Sequence, residues 1–262
     1  MHTSRRRDGG TDFVVRDFIH TMPQSYRARF DAAAAREHAR IAHERGRRLA
    51  HAGLFGKTHG AGPALCVVAR DAPGLLASIS ASLMLEGFDI TQADAYTRRL
   101  RRGAYEAVDL FWVRRERQDS IVPLTDEDAS AVRATLVEVL SGSGSLRPPP
   151  RAASGETPGA AETSIRFTEP EAGNWLTLEL EANDRTGLLL AVTSALFSEG
   201  VQIIGSRIVT RGLRAHDRFD LVESDGSRLA GTRLRRIQLA VLAAVDGPSV
   251  PHRSVSTAPM PN

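Results

Sequence analysis

The sequence predicts an α+β protein, two like domains behind an N-terminal helical arm, and three observations carry that prediction. First, one pattern occurs twice: an acidic residue, a tight turn ending in Gly-Leu-Leu, an amphipathic stretch closed by Glu-Gly, then an alternating strand. The copies start at Asp71 and Asp184 and run without a gap at a constant offset of 113 positions. A period that long marks a duplicated domain, since solenoid units repeat every ~20–50 residues. Second, each copy is followed by a further strand containing Asp-x-Phe (Asp109-Leu110-Phe111 and Asp217-Arg218-Phe219) and then by a helical pattern. Third, a Gly-, Ser-, Pro- and Ala-rich stretch lies between the copies and includes Pro148-Pro149-Pro150. Such composition buries too little apolar surface to pack, so it reads as a linker.

Taken in order, residues 1–12 form a basic tail (Arg5-Arg6-Arg7, Gly9-Gly10) expected to be disordered. A helical arm is expected over 13–58. Phe13, Val14, Phe18 and Ile19 give it one apolar face, Pro23 interrupts, and Tyr26, Phe30, Ala33, Ala34, Ile41 and Leu49 continue it. That face needs a partner. The first domain is expected over 60–140: a buried strand at Ala64–Ala69, a helix over 74–86 stopped by Gly87, an alternating strand from Phe88 to Arg99, and a third strand from Tyr105 to Val113. Thr125 then opens a helix to Leu140, with Asp126, Glu127 and Asp128 placed favourably in its first turn. The linker is expected over 141–164, the second domain over 165–246 and a disordered tail over 247–262. Ile165-Arg166-Phe167 either closes the first domain or leads into the second. The connection before the third strand is five residues longer in the first copy, which belongs in a surface hairpin.

Composition narrows the function classes. With 42% hydrophobic residues, 262 residues are ample for two modest cores. A single cysteine, Cys66, excludes an internal disulfide framework; its apolar run makes it a small buried side chain rather than a catalytic thiol. No stretch approaches the ~18 apolar residues of a membrane span, and the basic N-terminus lacks an apolar h-region, so the expected location is cytoplasmic. The basic residues are almost all arginine, with Lys57 the sole lysine, a bias that fits genome composition better than a nucleic-acid surface. Metal binding through His38, His43, His51 and His59 would want an i, i+4 pair or a cysteine cluster, and His38 to His43 is a five-residue step. No cofactor or metal is expected.

The chemistry lies in the two turns, Asp71-Ala72-Pro73-Gly74-Leu75 and Asp184-Arg185-Thr186-Gly187-Leu188. An aspartate just before a helix can accept a hydrogen bond from a first-turn N–H, which is a structural role. The same helix start offers partly positive N–H groups, and Gly74 or Gly187 lets a ligand carboxylate approach the backbone. A small anionic or zwitterionic ligand fits.

On these residues, on Ile165-Arg166-Phe167, and on the run from Ser206 through Gly212 to Asp217-Arg218-Phe219, both domains resemble ACT domains, ferredoxin-like βαββαβ modules that bind amino acids at domain interfaces. The pair resembles the C-terminal tandem ACT region of bacterial protein-PII uridylyltransferase/uridylyl-removing enzymes, the glutamine sensors of nitrogen regulation. The resemblance spans roughly residues 60–245 and is better in the second domain. It implies a glutamine-like ligand against the loops Asp71–Leu75 and Asp184–Leu188 and the starts of the following strands. It also implies ACT–ACT pairing, within the chain or across a homodimer, and the arm offers a surface to a protein partner. Thr186 stands where the family has proline and Ala72 where arginine is common; the first domain's fourth strand is not evident, so the second loop is expected to be the working site and the first a packing partner.

Two other classes fit the residues less well. A degenerate uridylyltransferase would need a Gly-Ser loop and paired metal-binding aspartates, and no such constellation precedes the first domain. His216-Asp217 matches a phosphohydrolase signature only as a string and reads as surface plus core. RNA-recognition modules share the topology but stack bases on strand aromatics, whereas these third strands offer Phe111 and Trp112 or Phe219 without the basic-Gly-aromatic motif. The expectation is a non-catalytic amino-acid sensor.

Overall fold

The computed structural model describes residues 5–56, 63–101, 103–117, 120–121, 123–142, 162–171 and 173–246. The arm comprises α1 (Arg5–Thr21), α2 (Gln24–Arg29) and α3 (Ala32–Arg45). Asp31 caps α3 by accepting from the N–H groups of Ala33 and Ala34, which is why the chain restarts a helix directly after the extended Phe30. Helix α1 begins inside the segment expected to be a disordered tail; once its C-terminal turns are docked, each added residue gains a backbone bond without a new nucleation cost.

The arm was expected to reach residue 58, and the structure corrects this. Gly46, at φ 54°, ends α3, and Ala50–Phe55 is a strand, β1. Alanine and leucine there read as helix formers, but the period is two. Ala50, Ala52 and Leu54 face the main core, while Phe55 faces the arm. Gly53 leaves room for Ile41 of α3, whose side chain would sit 3.0 Å from any added Cβ.

The remaining elements are β2 (Ala64–Arg70), α4 (Leu75–Leu85), β3 (Asp89–Arg99), β4 (Tyr105–Arg114), the small hairpin β5 (Glu116–Arg117) and β6 (Ser120–Ile121), and α5 (Asp126–Leu140). After them come β7 (Ser164–Thr168), β8 (Leu176–Asn183), α6 (Leu188–Ser198), β9 (Val201–Arg211), β10 (Arg214–Glu223) and α7 (Gly231–Asp246). Thr125 caps α5 in a full capping box with Asp128. Residues 143–161 of the expected linker, the expected tail over 247–262, and Lys57 and His59 lie outside the described residues.

Eight strands form one antiparallel sheet in the order β1-β2-β4-β3-β9-β10-β8-β7. Each half is a four-stranded, two-helix ferredoxin-like layer, but its edge strand precedes the unit instead of following it, so the chain order is ββαββα. This accounts for the fourth strand missing after α5: β1 pairs with β2 at one edge, and Ile165-Arg166-Phe167 lies in β7, which pairs with β8 at the other. The connection between β3 and β4 is five residues, against the two-residue turn Gly212-Leu213 between β9 and β10.

The halves join within the chain through β3 and β9, with Ala93 opposite Ile208, Asp94 opposite Arg207 and Ala95 opposite Ser206. Asp94 and Arg207 are the same repeat position, so a pseudo-two-fold axis passes between them. On one face, α4 to α7 bury a continuous core containing Phe111 and Phe219, each worth ~1.5–3 kcal/mol by burial. Across the axis, α4 packs on α6 through Ala77, Ala81 and Leu190.

The other face differs between the halves. Over the first, the arm covers Cys66, Val68, Tyr96, Val108 and Leu110 with Phe18, Met22, Tyr26 and Ile41. Ion pairs pin it down: Arg29 to Asp94 at 2.7 Å, and Arg45 to buried Glu106 at 2.8 Å, which also takes Arg98. Over the second half the equivalent face carries Glu179, Glu181, His216 and Arg218 in solvent-facing ion pairs and needs no cover. His216 therefore lies at the surface and Asp217 in the core, and Phe111 and Phe219 are fully buried while Trp112 packs on Phe55 under the arm. No helix among the described residues is long and apolar enough to cross a membrane.

Candidate ligand clefts at the seam between the repeats

Both turns have one geometry. Leu75 N–H donates to the carbonyl of Ala72, and Leu188 N–H to that of Arg185, each at 3.1 Å. Between them Gly74 and Gly187 adopt the left-handed conformation, at φ 77°, required at the third position of a type II turn. That conformation costs a residue with a Cβ ~1–2 kcal/mol, and space is short as well. A Cβ on Gly74 would lie 2.9 Å from the Phe197 ring, and one on Gly187 3.3 Å from Met84 Sδ. Phe197 and Met84 are again one repeat position, so each turn is covered by a side chain from the opposite half.

The expected capping role of the aspartates is not what the structure shows. Glycine occupies both cap positions and no side chain caps α4 or α6. The turn moves the aspartates back onto the neighbouring strands. Asp71 accepts from Thr97 Oγ1 at 3.3 Å and, across the seam, from Gln202 Nε2 at 3.4 Å. Asp184 accepts from the Thr210 hydroxyl and from the N–H of Arg185. Thr97 and Thr210 obey the same offset as the aspartates, a signal in the sequence that could have paired them.

Two clefts result, each built from both repeats. The first lies between Asp71, Gly74, Leu75 and Asp109 of one half and Phe197, Gln202 and Gly205 of the other. The second lies between Asp184, Gly187, Leu188 and Asp217 of one half and Met84, Asp89 and Ile90 of the other. Ala72 and Arg185 line their clefts, Leu75 and Leu188 belong equally to the core, and the exposed Pro73 and Thr186 face away. Arg185 also donates to the carbonyls of Ala244 and Val245, tying the second loop to the end of α7, a clamp that Ala72 cannot make.

The clefts are acidic. Burial raises the carboxyl groups of Asp71 and Asp184 above the ordinary range against the hydrogen bonds they accept. Beneath them, Asp109 and Asp217 of the Asp-x-Phe strands are buried in the floor. Burial and then the charge of Asp71 push Asp109 well up, and burial and then Asp184 push Asp217 up to about 7. Asp89, which faces the second cleft, is held by Arg114 at 2.9 Å, whereas neutral Gln202 takes its place in the first. Among the described residues no group of three or more His, Cys, Asp or Glu is arranged to hold a metal ion.

Duplicated α+β units, zipped strand to strand into one sheet with a loop cleft on each side of the seam, define a tandem ferredoxin-like module of the ACT type. It is similar to bifunctional uridylyltransferase/uridylyl-removing enzymes. It is 30% identical over 242 residues to that of Phenylobacterium zucineum, covering 89% of this chain and 25% of the relative. With that of Gluconobacter oxydans it shares 30% over 254 residues, 91% of this chain and 26% of the relative. A 78-residue stretch, 29% of this chain and 9% of the relative, is 47% identical to the enzyme of Cupriavidus pinatubonensis. The chain thus spans about a quarter of the length of the first two relatives. Among solved structures, aspartate kinase from Synechocystis matches at a TM-score of 0.39 and 12% identity, over 70% of this chain and 27% of that one, too slight a match to bear on the fold. No protein-family model matches the chain.

Proposed function

We propose that this chain is a non-catalytic regulatory module that senses a small amino acid, glutamine or one like it, in the clefts at its seam. The observation that carries this reading is the reciprocal construction of the clefts: each combines the turn of one repeat with the strand start and covering side chain of the other. A ligand there touches both halves at once. Occupancy therefore favours one packing of the halves over another, which is the physical requirement for allostery, typically ~1–3 kcal/mol of coupling. The first-turn N–H groups of α4 and α6, which no side chain caps, suit the ligand's carboxylate, and the carboxylates of the cleft suit its ammonium group. Likeness to uridylyltransferases supports a link to nitrogen signalling and puts glutamine first among ligands. The clamp from Arg185 to α7 favours the second cleft as the one that transmits occupancy to a helix. Calorimetric titration of the full chain with the common L-amino acids tests the reading; glutamine or a relative should give saturable heat and a raised melting temperature. Silence in both measurements for every amino acid would remove the sensing claim.

A further inference from the structure

We propose that the floor aspartates Asp109 and Asp217 are specificity-determining ligand residues: each cleft seats a primary ammonium group between a loop carboxylate and a floor carboxylate, Asp71 with Asp109 and Asp184 with Asp217. The inference rests on the amino-acid reading above and deepens it by naming the ligand group selected, a free amine, and the residues that select it.

Both floor residues are all but sealed from solvent, Asp109 at 3% exposure and Asp217 at 2%. A buried carboxylate is kept in a core only when a cation, a set of hydrogen bonds or a proton compensates it. Neither floor residue forms an ion pair with an arginine among the described residues. Asp109 is reached by the N–H of Tyr96 and Asp217 by that of Val209, the same repeat position, and no other hydrogen bond to them is found among the described residues. Asp217 Oδ1, on the wall of the second cleft, has no hydrogen-bond partner at all among them. Each floor group also lies beside a loop aspartate whose charge works against it. Each site therefore calls for a positive charge in place of the floor group's proton, and at Asp217 for one donor more.

An ammonium group supplies both. It has three N–H donors. Two go to the paired carboxylates, and the third suits the hydroxyl of Thr97 or Thr210, which keeps lone pairs free while donating to Asp71 or Asp184. The arrangement occurs in both clefts although their far walls have diverged, Gln202 against Asp89 and Phe197 against Met84. What the clefts share is the carboxylate pair; what differs is the wall that meets the rest of the ligand.

The test uses the full chain, wild type and with Asp109→Asn and Asp217→Asn singly and together. The probes are the L-amino acids with glutamine first, the N-acetyl derivative of whichever binds, and methylammonium chloride against sodium chloride at equal ionic strength. Expected are binding of the free amino acid, loss of binding by its N-acetyl form, and affinity about tenfold to a hundredfold weaker in the double variant. Equal binding of the acetylated form, or unchanged affinity in the double variant, overturns the ammonium seat and leaves amino-acid sensing standing. Should no amino acid bind, methylammonium decides: a rise in melting temperature over sodium in the wild type alone supports the seat while the sensing claim fails, and no difference overturns both.

Discussion

Replacing Asp217 with asparagine should make the unliganded protein more stable at pH 8 than at pH 5, relative to the wild type at the same pH. Burial and the neighbouring Asp184 raise the Asp217 carboxyl from 3.8 to about 7, so the native state holds this proton more tightly than the unfolded chain does. Its contribution is complete below about pH 4, declines as pH rises through the interval up to about 7, and is lost above it. At about 1.4 kcal/mol per tenfold, the penalty at pH 8 is roughly 4 kcal/mol, of which some 3 kcal/mol accrues between pH 5 and pH 8. Asparagine has the same shape and does not ionise. Its amide leaves a donor unpaired at a fixed cost of about 1–3 kcal/mol that does not vary with pH. Urea unfolding of both proteins across that range isolates the effect, because Asp71, Asp94 and Asp109 titrate in both and cancel in the difference. The stability difference should swing by about 3 kcal/mol in favour of the variant on going from pH 5 to pH 8. A difference flat to within about 0.5 kcal/mol would refute the assignment of Asp217 as an uncompensated buried acid.

Three further outcomes follow from the packing. Glu106→Ala leaves the buried Arg98 and the half-buried Arg45 without their carboxylate and should cost about 3 kcal/mol in urea unfolding, since the arm is held through that residue. His38, whose ring accepts from or donates to Tyr26 at 2.7 Å, is held neutral by burial with its pKa lowered to about 4. Its stabilising contribution is present above about pH 6.5 and is lost as pH falls towards 4, roughly 3 kcal/mol in all. Chemical denaturation of His38→Gln at pH 7 and pH 4.5 should show the shallower acid loss. Gly74→Ala and Gly187→Ala should each pay about 1–2 kcal/mol for the left-handed backbone. Gly74→Ala should melt lower, because the Phe197 ring is nearer than the Met84 sulfur.

The parts of the fold legible in the sequence are those written in local chemistry. The offset of 113 revealed the duplication, Thr125 marked its helix by a side-chain cap, and the continuous apolar run Ala64–Ala69 marked a buried strand. The edge strand β1 was hidden because Ala50-His51-Ala52-Gly53 has no β-branched residue, and only pairing with β2 makes it extended. Its place ahead of the unit also reversed the expected chain order of the edge strand. At the two turns, spacing singled out Asp71 and Asp184 but gave their side chains the wrong partner. The glycine at the cap turns the carboxylate toward Thr97 or Thr210, a contact between residues 26 positions apart that no local pattern announces. Gln202, Asp89, Phe197 and Met84 were invisible for a stronger reason, since each acts in the half to which it does not belong.

The residues on the pseudo-axis say which association the chain prefers. If two first repeats met edge to edge, Asp94 would face Asp94; if two second repeats met, Arg207 would face Arg207. Only the mixed pairing sets an acid against a base, and Arg29 from the arm reinforces the acid. Opposite charges directly across a strand pair help by a few tenths of a kcal/mol to about 1, and like charges hurt. Duplication has thus let one position become two complementary ones, so that the halves recognise each other as unlike partners and discriminate against copies of themselves.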